Sequence, residues 1–273
     1  DPLYALSFKV PENLIISSEV QGLSGDISLF RFIEQGQFLL AVGRDDSGLC
    51  SGFDASQGGW RGFGRIAVSI IDVRKLTGIR LVQRKCFAVD GAHFSSSSVT
   101  QNQDQAHKMI GILTRDKANV LTVPIHFSSP VGAGNYSVYQ SAIGVMHWDL
   151  SKYDESKSEK EQQVLENIAT LIHPKGSVRR TFFVQCPQKD SKLHNLLVNV
   201  SDSHLSLFNF DDIKKPQQLS LFEYAPYIRS IFRFGEYIVE QMTFSPTSSL
   251  YNEFRVKKAS GDLEKSKVLA SFI

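Results

Sequence analysis

The feature that most constrains this chain is a recurring unit: a short run of β-branched and aromatic residues, a turn of Gly, Ser, Asn or Asp, and a second such run. Runs of this length and composition are a strand signature, and their return along the sequence predicts hairpins instead of helices. Gln37 to Val42 meets turn residues at Gly43 to Asp46, and after a Gly-rich insertion Ile66 to Val73 reads as its partner. Asn119 to Ile125 and Ser141 to Leu150 form a second unit around a Gly/Ser/Asn loop from Ser128 to Ser137. Leu196 to Val200, the turn Ser201-Asp202-Ser203 and Leu205 to Asp211 form a third. Tyr237 to Glu240 with Tyr251 to Val256 makes a looser fourth.

In the first three units the second run ends beside an Asp (Asp72, Asp149, Asp211), which can accept backbone N–H bonds in the turn that follows. An isolated hairpin is marginal in water, so the units must stack, as propeller blades or as a sandwich. The expected class is all-β: a β-propeller occupying residues 1–273 as one domain or a large part of one, with an incomplete ring or irregular blades. Asp72 to Asp149 is 77 positions and Asp149 to Asp211 is 62. A regular blade takes roughly 40–50, so insertions must absorb the excess. One segment departs from the grammar: Val164, Leu165, Ile168, Leu171 and Ile172 fall at helical spacing and predict one short helical insertion near residues 159–173, closed by Pro174-Lys175-Gly176.

Charge narrows the partners. Thirty Lys and Arg against 28 Asp and Glu leave +2, divided evenly between the two halves of the chain, so no basic half is available to follow nucleic-acid phosphates. The longest purely apolar run, Phe38 to Val42, is far short of the roughly 20 residues that cross a bilayer as a helix, so no membrane-spanning segment is expected. The chain opens on Asp1-Pro2 and reads as a processed or excised segment. Cys50, Cys86 and Cys186 are odd in number and lack CxxC spacing, which allows one bridge at most; buried free thiols are the expectation.

The order of several motifs resembles a known family. Asp1-Pro2-Leu3-Tyr4, Pro11-Glu12-Asn13, Gly22-Leu23-Ser24 and Phe38 to Asp45 resemble the opening of the C-terminal β-propeller domain of secreted prokaryotic proteins distantly related to WD-type propellers. Val68 to Val73 is similar to that family's "SLFDV" strand, Ala106-His107-Lys108 to its "DHKAF", and Val120 to Pro124 to its "LLAIPV". His173-Pro174, Val178 to Thr181 and Leu197 to Ser201 resemble its "IRRSLYIGDYLYTVS". The resemblance spans residues 1–212 in collinear order; Ala106 stands where the family has Asp, and Ile70-Ile71 where it has Leu-Phe. It implies a propeller fold and an extracellular or cell-surface location.

No GxSxG, HExxH, P-loop, GxGxxG or paired CxxC pattern occurs, and no cofactor is implied. Candidate binding residues are therefore chosen one at a time. If His107 and Lys108 sit on a strand they point to opposite faces, and His107 is either a channel-facing ligand or proton carrier or a hydrogen-bonded spacer between blades. Of Arg179 and Arg180, one is expected to pair with an Asp between neighbouring blades; an anion site is the sharper reading. Trp60, among glycines, suits stacking on a sugar or packing on a blade edge. Asp45, Asp46 and Asp54 offer oxygen ligands for Ca²⁺, although without the register of a Ca²⁺ loop. Asn135 and Asn199 fit the N-glycosylation pattern, with Asn199 in a strand.

Together these point to a non-enzymatic secreted or cell-surface binding or scaffold domain whose partner is a protein or a carbohydrate. The alternatives are a hydrolase or lyase acting on polysaccharide, with His107, Arg179 and Asp45 converging on the channel, and an intracellular interaction propeller carrying three free thiols.

Overall fold

The computed structural model describes residues 3–7, 15–20, 25–45, 65–75, 78–87, 94–101, 103–115, 118–130, 137–173, 176–187, 193–224, 228–243, 252–259 and 267–272. Strands β1 (Leu3–Ser7) and β2 (Ile15–Val20) form an antiparallel hairpin. The first large sheet is a meander of β3 (Asp26–Ile33), β4 (Phe38–Asp45), β5 (Arg65–Asp72) and β6 (Arg80–Cys86). The second comprises β7 (Phe94–Ser96), β8 (Gly111–Arg115), β9 (Ala118–Pro130), β10 (Ser137–Trp148) and β11 (Leu165–His173), with β7 and β8 sharing one edge of β9. The third runs β12 (Val178–Pro187), β13 (Leu193–Ser201), β14 (His204–Asn209), β15 (Gln217–Glu223). The fourth runs β16 (Ile228–Phe234), β17 (Tyr237–Thr243), β18 (Asn252–Lys258), β19 (Val268–Phe272).

Each hairpin read from the sequence is the central pair of one sheet: β4–β5, β9–β10, β13–β14 and β17–β18. The strand-terminal carboxylates behave as their position suggests. Asp72 Oδ1 accepts from Arg74 N at 3.0 Å and Asp149 Oδ1 from Ser151 N at 3.1 Å. Asp211 turns back instead and accepts from Asn195 N at 2.9 Å.

The helix expected at 159–173 is absent. A 3-10 turn covers Glu159–Glu161, and Leu165–His173 is strand β11, paired with β10. The register slips between Val145 and Met146, opposite Ala169 and Asn167, so Ile168 is an extra residue in β11. Such a bulge turns two successive side chains toward the same side. Ile168, Ala169 and Leu171 accordingly pack on one core, while Val164 and Leu165 pack on the other and Ile172 is exposed, so the apolar residues at helical spacing serve three different surroundings.

Sheet two supplies two cores at once. Leu121, Val123 and Ile125 of β9 with Ala142, Met146 and Trp148 of β10 meet Phe38, Leu40, Val42, Ile66, Val68 and Ile70 of sheet one. On the opposite face Val120, Ile143 and Val145 meet Val178, Leu197, Phe208 and Phe210 around sheet three. Strict alternation of side chains lets one pair of strands serve both sides. Gly144 permits a close approach of sheet two to the chain just after β6: a Cβ there would lie 2.5 Å from the Phe87 ring.

Neighbouring sheets keep the same order. Thr181 N, on first strand β12, donates to Met109 O just before β8 at 3.0 Å, and the Thr122 and Thr181 hydroxyls are 2.6 Å apart. On the far side, β6 meets β11: Leu165 N donates to Gln83 Oε1 at 2.7 Å and Asn167 Nδ2 to Cys86 O at 2.9 Å. The chain is all-β, with four antiparallel sheets compatible with a propeller-like arrangement. Sheet four joins sheet three through the Arg255 guanidinium, which grips both Glu223 carboxylate oxygens at 3.0 and 3.1 Å.

The expectation of buried free thiols is corrected: Cys86 is disulfide-bonded and buried, and Cys186 is a free thiol at the surface. No helix among the described residues is long and apolar enough to cross a membrane.

Candidate functional site

A pocket of about 470 Å³ opens between sheets one and two. Its walls come from β3 (Arg31, Phe32, Ile33), the β3–β4 turn (Glu34, Gln35, Gly36), β8 (Ile112, Thr114) and the end of β10 (Trp148). Because β3 and β8 lie at the edges of their sheets, the pocket opens where the two sheet edges meet.

Its rim is shaped by an unusual turn. Glu34, Gln35 and Gly36 have φ of 47°, 56° and 87°, and Gln37 N donates to Glu34 O at 3.1 Å. Left-handed residues suit a tight hairpin, because their twist matches that of the flanking strands, but Gly, Asn and Asp normally fill such positions. Two consecutive non-glycine residues here carry strain of order 1–3 kcal/mol each. That strain sets the Glu34 and Gln35 backbone at the pocket mouth, where both residues are exposed.

The lining is mixed. Phe32 is 61% exposed and lends an aromatic surface, Ile33 and Trp148 are buried in the wall, and Arg31, Glu34, Gln35 and Thr114 supply donors and acceptors. Trp148 Nε1 is buried and has no hydrogen-bond acceptor among the described residues. A buried donor without a partner costs about 1–3 kcal/mol. The Trp is positioned by Asp149, whose N–H donates to Val164 O at 2.8 Å and whose carboxylate holds Ser151.

A second polar cluster lies at the seam of sheets two and three. Neighbouring register positions place His126, Ser141 and His173 in one row across sheet two, and Val178 N of sheet three donates to Ser141 Oγ at 2.8 Å. His126 Nε2 is 3.4 Å from Ser98 Oγ. Burial, reinforced by the Arg179 charge and only partly opposed by Asp202, pushes His126 down to about 4, so its imidazole is neutral at pH 7. A neutral imidazole beside a hydroxyl is the elementary pairing of a base with a nucleophile. Ser98, however, is only 1% exposed, and no carboxylate orients the His126 ring among the described residues. Across the seam the His173 and His204 rings meet edge-on at 6.3 Å, and Ser203 Oγ lies 2.8 Å from His204 Nδ1. The cluster acts as a hydrogen-bonded joint between sheets.

The residues singled out from sequence scatter. His107 and Lys108 sit on a 3-10 turn (Gln103–Lys108), not on a strand, and both are exposed while Ala106 is buried in the first core. Arg179 Nε donates to Asp202 Oδ1 at 2.6 Å, an acid of its own sheet and not of a neighbouring one; Arg180 is exposed one residue on. Asp45 is buried, with Arg84 Nε 3.9 Å away. Trp60, Asp46, Asp54 and Asn135 lie outside the described residues, and Asn199 is fully buried, donating to Ser206 Oγ at 3.2 Å. Among the described residues no three His, Cys, Asp or Glu side chains come together as a metal site, and nothing joins His107 to Arg179 or Asp45.

The pocket residues were not singled out from sequence. They come from three separate segments, and the only signal was an aromatic residue, Trp148, ending a strand beside Asp149. A scan against protein-family models and a search of curated proteins find nothing that matches this chain.

Proposed function

We propose that this chain is a non-enzymatic binding module with a propeller-type fold, secreted or displayed at a cell surface, which takes a small polyhydroxylated ligand of the carbohydrate class. The reading rests on the pocket between β3 and β8, whose mouth is held by two left-handed non-glycine residues. Strain kept at a concave site is a recurrent mark of ligand contact. A sugar ring offers one apolar face for Phe32 and hydroxyls for Arg31, Glu34, Gln35 and Thr114. The bonded Cys86 agrees with an oxidising, extracytoplasmic compartment and argues against the intracellular alternative.

The test is an NMR or calorimetric titration of the intact chain against neutral and acidic oligosaccharides. Binding is expected to perturb Phe32, Thr114 and Trp148, and Phe32→Ala is expected to weaken it about tenfold or more. A panel in which no saccharide perturbs these residues at millimolar concentration overturns the reading.

A further inference from the structure

Sheet four is built inside out. In a half-buried antiparallel sheet one face is apolar and covered, and the other is polar and wet. Here the pairings Ile238↔Lys257, Glu240↔Arg255 and Met242↔Glu253 define one face, and over β17 and β18 it is the covered one, while its β16 residues Ile231 and Arg233 reach solvent. Glu240, Glu253 and Lys257 are 4%, 7% and 8% exposed, closed by Lys257 Nζ–Glu240 Oε1 at 3.0 Å and Arg255 Nε–Glu253 Oε1 at 2.8 Å. The opposite face, defined by Phe232↔Val239, Phe234↔Tyr237 and Phe254↔Phe272, carries the aromatics. On it Phe232, Phe234, Tyr237 and Phe272 are 45%, 65%, 42% and 53% exposed. Phe254 and Phe272 stack with centroids 5.7 Å apart, so this face is ordered and continuous over four strands.

We infer that this aromatic face is a self-association surface, covered in solution by the same face of a second copy of the chain. Three observations select that occupant. The face is nearly free of net charge: Lys258, on the same side as Tyr237, is 3.6 Å from Glu236, so two copies related by a two-fold axis meet without like-charge repulsion. Its size fits, because an aromatic side chain offers about 150–250 Å², and the exposed fractions of the four rings amount to roughly 400 Å². That is about half of the roughly 800 Å² each partner contributes to a standard interface, the remainder falling to the aliphatic and polar side chains between and around the rings. The third is chemical: the rings of such a face interlock with their own kind, whereas a polar or charged partner would leave its groups unpaired against them.

Sedimentation velocity of the intact chain over a wide concentration range is the test. A concentration-dependent dimer is expected, and Phe234→Arg is expected to shift it to monomer with an unchanged far-ultraviolet spectrum. Should Phe234→Arg fail to fold, Tyr237→Arg at the rim serves the same purpose, and hydrogen exchange in β16 and β19 should rise on dilution of the unaltered chain. A chain that stays monomeric at every concentration overturns the inference, whether the face lies bare or is covered by another molecule. So does a dimer that persists in both arginine variants.

Discussion

Sheet two and sheet four show two ways of mounting a β-sheet. Sheet two lies between aliphatic layers on both faces, with Leu121, Val123 and Met146 on one side and Val120, Ile143 and Val145 on the other. Sheet four is held to sheet three by Arg255 on Glu223, buries ion pairs, and turns its rings outward. Apolar burial is roughly additive in area and is not weakened by the screening of charge, whereas a part-buried ion pair offsets its Coulombic gain against desolvation. The lesson is that equal strand content does not mean equal anchorage: one sheet is fixed by packing on both faces, and the other by packing of Ile238 and Met242 together with a few directional bonds.

The largest test of this contrast removes packing. Leu121→Ala or Met146→Ala should cost about 2–5 kcal/mol in urea unfolding, and the loss should not shrink when moderate salt screens charges. A loss below about 1 kcal/mol would mean that packing between sheets one and two does not anchor sheet two.

Acid should act next, at the seam of sheets two and three. His126 titrates near 4 in the folded chain, below its unfolded value of about 6.5, because burial disfavours its charge. Its neutral form is therefore the one folding selects. Stability is fully present above about pH 6.5 and falls by about 2–4 kcal/mol as pH drops toward 4. A His126→Gln variant should flatten that slope in a pH series of unfolding curves. Asp72 acts in the same direction lower down. Burial raises its pKa, but the Arg74 hydrogen bonds and charge, with the Tyr153 hydroxyl, outweigh burial and leave it lowered, so its contribution holds above about pH 4 and fades below.

Arg255→Met probes the other mounting. It should cost about 1–3 kcal/mol, because it leaves Glu253 and Glu223 without their guanidinium, and the cost should shrink in high salt. Hydrogen exchange should localise the loss to β16–β19. The smallest effect belongs to Arg179→Ala: its exposed pair with Asp202 should be worth less than about 1 kcal/mol. The same change removes a positive charge near His126, so the His126 pKa should rise in an NMR titration.

Particular residues show how far the sequence was legible. The central hairpins were readable because Ile66 to Asp72 or Ser141 to Trp148 carry their strand preference locally. Asp72 and Asp149 were readable because a carboxylate caps the turn two residues ahead whatever the fold. The segment 165–173 misled, because a bulge at Ile168, a residue on one core (Leu165), residues on the other (Ile168, Leu171) and an exposed one (Ile172) together imitate a helical spacing. His107 and Arg179 drew attention as charged residues in familiar-looking motifs, yet His107 stands on an exposed turn and Arg179 is paired with Asp202. The pocket could not be read: Arg31 and Trp148 are 117 positions apart, and neither stands out beside its neighbours.

The sequence by itself determined the central hairpins and their turns, since strand preference, turn chemistry and carboxylate capping act over a few residues. It also set the even charge balance. The tertiary structure alone decided which face of each strand found a partner, because facing depends on register and on the neighbouring sheet, and one bulge reverses it. That is why the pocket between β3 and β8, the histidine seam and the outward rings of sheet four became visible only once the sheets were stacked.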